Sequence, residues 1–267
     1  QELLRLKKEG EVSEEALRKA IDRFDNLKDW FLATLPEEDF QAWCFALTLG
    51  LCLCLPDASG VPWFEFEFFR RAITKCLASE LKPPQQKNAL KDILSEEPLL
   101  EKCRAEIYKD PLTGGDLVKF TNDRYPEMIW DILLRANRRI LSLVFPQLRK
   151  LAEGTDPVIR ARAAQIIGRI GEVDPYQVTF KLMDHWIGPG VYRQMATVGY
   201  LYQGILSSQS EFYREDCLKK LNHLAAETDK PKVWTAIATY KQIGVYDLSL
   251  AMEKLREISE RIFTEPV

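Results

Sequence analysis

Hydrophobic side chains recur at spacings of three and four residues from about residue 13 to residue 263. This spacing puts them on one face of successive helices and predicts a chain made mostly of amphipathic helices. The pattern changes between residues 104 and 121, where two short runs flank a turn that contains proline and glycine. We therefore expect a mainly α-helical protein with one small β-hairpin.

The helical pattern is clearest between Gly154 and Pro175. The apolar and small positions of its predicted helix are Val158, Ala161, Ala164, Ile167, Gly168 and Ile170. Asp156 can cap the helix, Pro157 suits its first position, and Gly171 predicts its end. This Asp-Pro-x-x-Arg-x-x-Ala-Ala pattern, ending in Ile-Gly, resembles the second helix of a HEAT repeat. The resemblance implies a stack of helical pairs.

The same pattern recurs further along the chain. An offset of 33 residues aligns Val158, Arg160, Ala163 and Gly171 with Val191, Arg193, Ala196 and Gly204. An offset of 73 aligns Asp156, Ala163, Ile170 and Gly171 with Asp229, Ala236, Ile243 and Gly244. Amphipathic first helices precede these segments at Ile140 to Glu153, Tyr176 to Ile187 and Glu211 to Thr228. We expect a unit over residues 123–267 in which a short HEAT-like α-solenoid is closed by a helix from Leu248 to Phe263.

Residues 1–122 predict a second, helical unit. Its expected helices are Ser13 to Phe31, Pro36 to Leu51, Trp63 to Leu81 and Gln85 to Ser95, and its hairpin lies near residues 104–121. Three helices followed by a β-hairpin resemble a winged-helix domain over about residues 36–122. Residues 64–110 carry nine basic and nine acidic groups, which favours packing against protein over binding DNA.

A winged helix joined to a repeat arm resembles the C-terminal half of bacterial signal-transduction NTPases of the STAND kind. That resemblance implies a role in sensing or partner binding, in regulation or phage defence. The sequence contains no Gly-x-x-x-x-Gly-Lys phosphate-binding loop. Because the chain begins with Gln1 rather than Met, we expect it to be a piece of a larger protein.

Composition narrows the function classes. Hydrophobic residues make up 46%, charged residues 29%, and the net charge is −3, which argues against a general binder of polyanions. No apolar run reaches the length of a membrane span, and no signal peptide is evident. The cysteines lie mostly in apolar helical stretches, where a thiol acts as a small hydrophobic group: Cys44, Cys52, Cys54, Cys76, Cys103 and Cys217. We expect a reduced, cytoplasmic protein.

A candidate partner-binding surface follows from the repeat alignment. Arg162, Gln165 and Arg169 are expected to point outward along one helix, and the corresponding residues of the second repeat are Met195, Val198 and Tyr202. Arginine, methionine and tyrosine supply much of the contact energy in protein interfaces. Two other interpretations remain open, an ordinary solvated helix face or intramolecular packing against the C-terminal helix or the N-terminal unit.

Charge favours an acidic partner or phosphates as the ligand of this region. Residues 131–171 carry eight basic and three acidic side chains. The basic ones are Arg135, Arg138, Arg139, Arg149, Lys150, Arg160, Arg162 and Arg169. We assign Arg160 to structure, since the resemblance to HEAT stacks implies that it pairs with a turn aspartate.

Catalytic chemistry has little support in the sequence. His185 and His223 have no nearby serine or cysteine in a nucleophile motif, and no pair of metal ligands has suitable spacing. HEAT-like DNA glycosylases are a precedent for an enzyme on this scaffold, but they need a strongly basic concave face. We therefore expect no catalytic site, metal or cofactor. The leading hypothesis is a non-enzymatic adaptor or regulatory subunit that binds another protein, and the alternative is a nucleic-acid binder using the 131–171 patch.

Overall fold

The computed structural model describes residues 40–55, 60–81, 96–188 and 190–264. Two predicted helices, Ser13 to Phe31 and Gln85 to Ser95, lie outside the described residues. The first four residues of the predicted helix Pro36 to Leu51, residues 36–39, also lie outside them. Within the described ranges the protein is mainly helical with one small antiparallel sheet, as the hydrophobic spacing predicts.

The N-terminal part alternates helices and short strands. Its elements are α1 Phe40–Cys52, β1 Val61–Pro62, α2 Trp63–Ala78, α3 Glu96–Cys103, β2 Ala105–Lys109 and β3 Asp116–Phe120. The predicted hairpin is confirmed as β2 and β3, which pair from Ala105 with Phe120 to Lys109 with Asp116. β1 was not predicted from the sequence; it pairs with β3 and gives the sheet order β1-β3-β2.

The turn of the hairpin is built on Asp110. Its carboxylate accepts hydrogen bonds from the Leu112 amide and the Thr113 hydroxyl, and its main chain bonds to Gly114 and Gly115. The Thr113 and Leu112 bonds hold the pKa of the Asp110 carboxyl below its ordinary value. Gly114 adopts a φ of 70°, which a residue without Cβ reaches at little cost. The sequence thus specifies this turn locally.

Eight further helices complete the described chain. They are α4 Tyr125–Arg135, α5 Arg138–Ala152, α6 Pro157–Ile170, α7 Leu182–Ile187, α8 Tyr192–Leu206, α9 Glu211–Ala226, α10 Lys230–Ile243 and α11 Leu248–Thr264. A π-helical turn, Tyr176–Lys181, leads into α7, so the single helix predicted from Tyr176 to Ile187 is split in two. Four apolar side chains of α4 face the core, since Met128, Ile129, Ile132 and Leu133 are all buried.

Helices α6, α8 and α10 form one layer, which we call the second-helix layer. α8 packs between α6 and α10, while α5 and α9 pack against α6 and α10 from the other side. Asp156 caps α6 by accepting hydrogen bonds from the amides of Val158 and Ile159, as predicted. The offset of 73 residues is consistent with the helix boundaries, because Asp229 and Gly244 flank α10 as Asp156 and Gly171 flank α6.

A continuous hydrophobic core joins the N-terminal helices to this layer. Every residue of α1 is buried, as expected for a helix that is apolar nearly all round. α1 packs against α2, α3 and α4, and α2 also packs against α5. The core runs without interruption from Phe40 in α1 to Ile258 in α11. The N-terminal part is therefore held directly on the beginning of the second-helix layer.

Candidate interaction surface

The six residues expected to bind a partner do not lie on a surface. Gln165, Arg169 and Met195 are buried, Val198 and Tyr202 are fully buried, and the Arg162 side chain is only 15% exposed. The expected outward orientation is therefore wrong for all six. Two different causes explain it, one for the residues of α6 and another for those of α8.

The α6 residues are covered by the chain itself. Arg162 forms an ion pair with Glu65 of α2, with 2.6 Å between Nε and Oε1. Burial alone would lower the pKa of the Arg162 guanidinium, but the Glu65 carboxylate raises it above its ordinary value. Arg162 is thus a permanent positive charge whose partner is intramolecular.

Arg169 lies deeper still, with 2% of its side chain exposed. Its guanidinium donates to the carbonyl of Cys54 at 3.0 Å and to the Glu127 carboxylate of α4 at 2.6 Å. It also stacks over the Trp130 ring, 4.6 Å from the ring centroid. The N-terminal part therefore packs onto α6 at Arg162 and Arg169.

The α8 residues were assigned with an incorrect register. Gln165 donates to Gln203 at 2.7 Å, and Gln203 donates to Gln242 at 3.2 Å, so Gln165 faces Gln203 between α6 and α8, and Gln203 faces Gln242 between α8 and α10. The offset from α6 to α8 at this level is 38 residues, not 33. Five residues rotate a position by about 140° around a helix, because each residue turns by about 100°.

This rotation moved the expected site to the inner side of α8. Tyr202 donates from its hydroxyl to the Cys217 carbonyl of α9 at 2.7 Å, and burial raises its pKa well above the ordinary value. Gly204, aligned by the offset of 33 with the end of α6, lies inside α8. With the offset of 38, the counterpart of Arg162 is Tyr200, which is partly exposed.

The second-helix layer contains no acidic residue within its three helices. The sequences of α6, α8 and α10 include seven Lys and Arg and no Asp or Glu. Arg162 and Arg169 are neutralised by the N-terminal part, and Lys232 pairs with Glu227 at 3.1 Å. Arg160 donates to the carbonyls of Gly154 and Thr155. The predicted pairing of Arg160 with an aspartate between repeats is therefore not seen.

Three cations and three aromatic residues of α8 and α10 are exposed or partly exposed. We call this set the basic-aromatic face: Tyr192, Arg193, Tyr200, Lys230, Trp234 and Lys241. Tyr192 is 73% and Trp234 58% exposed. Among the described residues, no carboxylate lies within ion-pair distance of Arg193, Lys230 or Lys241.

Contacts between the helices place these residues side by side. Arg160 lies about 200° around α6 from Arg162, on the opposite side of that helix, and is not part of this face. Gly199 of α8 lies against Gln242 and Ala238 of α10, and Gly190 lies near Pro231. α8 and α10 therefore run in the same direction, which brings the exposed stripe of α10, with Lys230, Trp234 and Lys241, beside that of α8.

The wider basic patch predicted over residues 131–171 does not form one surface. Arg135 pairs with Asp131 and Arg149 pairs with Glu153, each within its own helix. Arg162 and Arg169 pair with Glu65 and Glu127, which lie outside residues 131–171. Four of the eight basic side chains of the segment are thus paired with carboxylates.

Ionisable groups elsewhere do not converge on a catalytic arrangement within the described residues. His185 lies 3.7 Å from Glu153 and His223 lies 3.5 Å from Glu227, and both histidines are exposed. Burial raises the pKa of the Cys44, Cys52 and Cys54 thiols, which keeps them protonated and unreactive. Among these residues no group of three His, Cys, Asp or Glu side chains could hold a metal ion.

A cleft of about 310 Å³ lies between α9, α10 and α11. Its polar groups pair with one another: the Tyr240 hydroxyl donates to Asn222 at 2.6 Å, and Lys254 contacts Glu257 at 3.0 Å. Burial and the Glu257 charge raise the pKa of the Tyr240 phenol, which therefore stays protonated at neutral pH. Arg261, the other cation of the lining, donates to the Ala225 carbonyl, so the polar groups of the cleft are engaged within the chain and favour no particular class of ligand.

Comparison with other proteins does not extend this description. No protein-family model, curated protein or solved structure matches the chain. Across the described ranges, none of the helices combines the length and the apolar character needed to cross a bilayer. The basic-aromatic face must therefore be judged on the chemistry of its own residues.

Proposed function

We propose that this chain is a non-enzymatic interaction scaffold, an adaptor or regulatory subunit that binds another protein through the basic-aromatic face. The observation that carries the proposal is the second-helix layer without acidic residues, in which Arg193, Lys230 and Lys241 have no carboxylate partner among the described residues and share the layer with the exposed ring of Trp234. Exposed tryptophan, tyrosine and arginine are the residues most enriched at the energetic centres of protein interfaces.

The architecture supports this role. Helical pairs whose second helices lie side by side are the arrangement expected of a HEAT-like solenoid, which presents an extended surface built on rigid elements. Among the described residues, the order α1, β1, α2, α3, β2, β3 and the sheet order β1-β3-β2 resemble those of a winged-helix domain, which supports the proposed resemblance of the N-terminal part. A role in bacterial signalling or defence remains a prediction from that resemblance.

Affinity capture from the native host tests the proposal. A face variant combines Arg193→Glu with Trp234→Ala. A matched control combines Lys219→Glu with Phe212→Ala, both exposed on α9, in the opposite layer. We expect a protein partner that the wild type and the control retain and the face variant loses. The proposal is wrong if every captured protein is retained equally by the face variant.

Nucleic-acid binding is the second candidate function, because the same face offers cations beside aromatic rings on which bases stack. It predicts binding to single-stranded oligonucleotides that weakens steeply as salt is raised. The two candidates differ in the capture experiment: nuclease treatment removes the retained material if nucleic acid is the ligand and leaves it in place if the ligand is protein.

A further inference from the structure

We infer that the basic-aromatic face docks an acidic segment of a partner protein, one with Asp or Glu side chains on either side of an apolar or aromatic anchor. This inference rests on the proposed function and specifies the chemistry of the occupant. It follows from how the chain already covers the first helix of the same layer.

The N-terminal part shows what the layer binds. The N-terminal part covers α6 at its two most buried arginines, and each of them pairs with a carboxylate from another helix. Arg162 pairs with Glu65, and Arg169 pairs with Glu127. An aromatic side chain, Trp130, accompanies them by stacking on Arg169. The covered third of the layer is therefore occupied by carboxylates together with apolar side chains.

The remaining two thirds offer the same chemistry without an occupant among the described residues. Arg193, Lys230 and Lys241 replace the paired arginines, and Tyr192 and Trp234 supply exposed rings. A carboxylate placed against Arg193, Lys230 or Lys241 would gain charge-assisted hydrogen bonds from a cation that no carboxylate of the described residues neutralises.

The surroundings of the face favour a short acidic segment over a nucleic acid. Asp156 and Asp229 stand at the N-terminal ends of α6 and α10 and border the face. The chain as a whole carries a net charge of −3. A long polyanion would extend beyond three cations into negative potential, whereas a peptide needs only two or three carboxylates matched to the face.

Selection from a library of random displayed peptides on the full 267-residue chain tests the inference. We expect the retained peptides to be enriched in Asp and Glu around an aromatic or aliphatic residue. A labelled peptide from this pool should bind the Arg193→Glu, Lys241→Glu variant at least roughly tenfold more weakly than the wild type, and bind the Lys219→Glu control unchanged. Replacing its Glu by Gln should weaken binding to a similar degree.

Three results would overturn the inference. The retained peptides could show no excess of acidic residues, or the Gln-substituted peptide could bind as tightly as the original. Alternatively, oligothymidylate could bind the wild type and lose affinity with Arg193→Glu and Trp234→Ala, while no peptide depends on these residues. The last result would assign the face to nucleic acid.

The two levels of the proposal fail in different ways. If the captured native partner is lost by the face variant but its mapped binding segment is not acidic, the occupant is wrong and the scaffold function stands. If acidic peptides bind the face but no native protein depends on it, the scaffold function is wrong. Folding of each variant is checked by its urea unfolding midpoint, which these exposed substitutions should leave unchanged.

Discussion

Arg162 and Glu65 form a buried ion pair between two helices that lie 97 residues apart in the sequence. Glu65 is 3% and Arg162 15% exposed, so neither charge is well solvated. The pair lies where α2 of the N-terminal part meets the second-helix layer. It therefore contributes to holding the two parts of the chain together.

Removing one charge of this pair should destabilise the protein strongly. Glu65→Gln leaves the Arg162 guanidinium buried without a counter-charge, and we expect the free energy of unfolding to fall by about 3 kcal/mol or more. Urea unfolding followed by circular dichroism measures the change. Arg71→Ala is a suitable control, since Arg71 is exposed and its pair with Glu67 should contribute less than about 1 kcal/mol.

The double variant Glu65→Leu, Arg162→Met separates charge from packing. Replacing both partners by apolar side chains removes the desolvation cost, and we expect a stability much closer to wild type than that of Glu65→Gln. The loss in the free energy of unfolding of the double variant is compared with the sum of the losses of Glu65→Leu and Arg162→Met alone. Equal values would mean that the two residues do not interact energetically, contrary to our description.

Gly168 and Gly204 should not tolerate alanine. A Cβ on Gly168 would overlap the Leu201 carbonyl oxygen, and a Cβ on Gly204 would overlap the carbonyl of Gln165, so α6 and α8 could not approach as closely. We expect either Gly→Ala change to lower the free energy of unfolding by about 2 to 3 kcal/mol. Gly115→Ala meets only ordinary contacts in the hairpin and should be nearly neutral; comparable losses at all three sites would contradict this explanation.

The three glutamines that connect α6, α8 and α10 should act as a unit. Gln203→Leu removes the middle residue and leaves the buried Gln165 amide without its acceptor. We predict a loss of about 1 to 3 kcal/mol in the free energy of unfolding, the cost of an unsatisfied buried polar group. Gln209→Ala breaks an exposed hydrogen bond to Glu127 and provides the control, for which thermal unfolding should show little change.

Stability should decrease at alkaline pH. Burial raises the pKa of the Cys44, Cys52 and Cys54 thiols in the folded protein. The buried, protonated thiols contribute fully to the free energy of unfolding below the unfolded thiol pKa of about 8.5. This contribution is lost as pH rises above that value, because the unfolded chain then releases protons that the folded chain retains. Each such thiol should lower the free energy of unfolding by about 1.4 kcal/mol per pH unit.

Urea unfolding at a series of pH values between 7 and 10 measures this dependence. Replacing Cys44 and Cys54 by alanine lowers stability at every pH because it creates cavities, but it should also make the pH dependence less steep. A wild-type protein whose free energy of unfolding stays constant over this range would show that the thiols ionise in the folded state.

Much of the fold could be predicted from local pattern. The apolar spacing, the Asp156 cap and the Asp110 turn are short-range signals, and each predicted element that falls within the described residues was found close to its expected position. The strand β1 was missed because two residues carry no periodicity. Its existence depends on β3, more than fifty residues later in the chain.

The candidate site could not be predicted in the same way. The choice of Met195, Val198 and Tyr202 depended on an alignment of α6 with α8 that was five residues out of register. That alignment matched Gly204 with Gly171 at the end of α6, but Gly204 lies inside α8, where it allows close contact with Gln165 of α6. One usable signal was present: the lack of Asp and Glu in three predicted second helices. That signal identifies the layer without identifying its exposed side.

By itself, the sequence determined where the helices lie, how their ends are capped and that the second helices carry only positive charge. These properties follow from interactions between residues a few positions apart. Only the tertiary structure decided which of those charges are neutralised and which remain exposed. The carboxylates of Glu65 and Glu127 reach Arg162 and Arg169 from distant parts of the chain, because burying the apolar faces of α1, α2 and α4 brings them there.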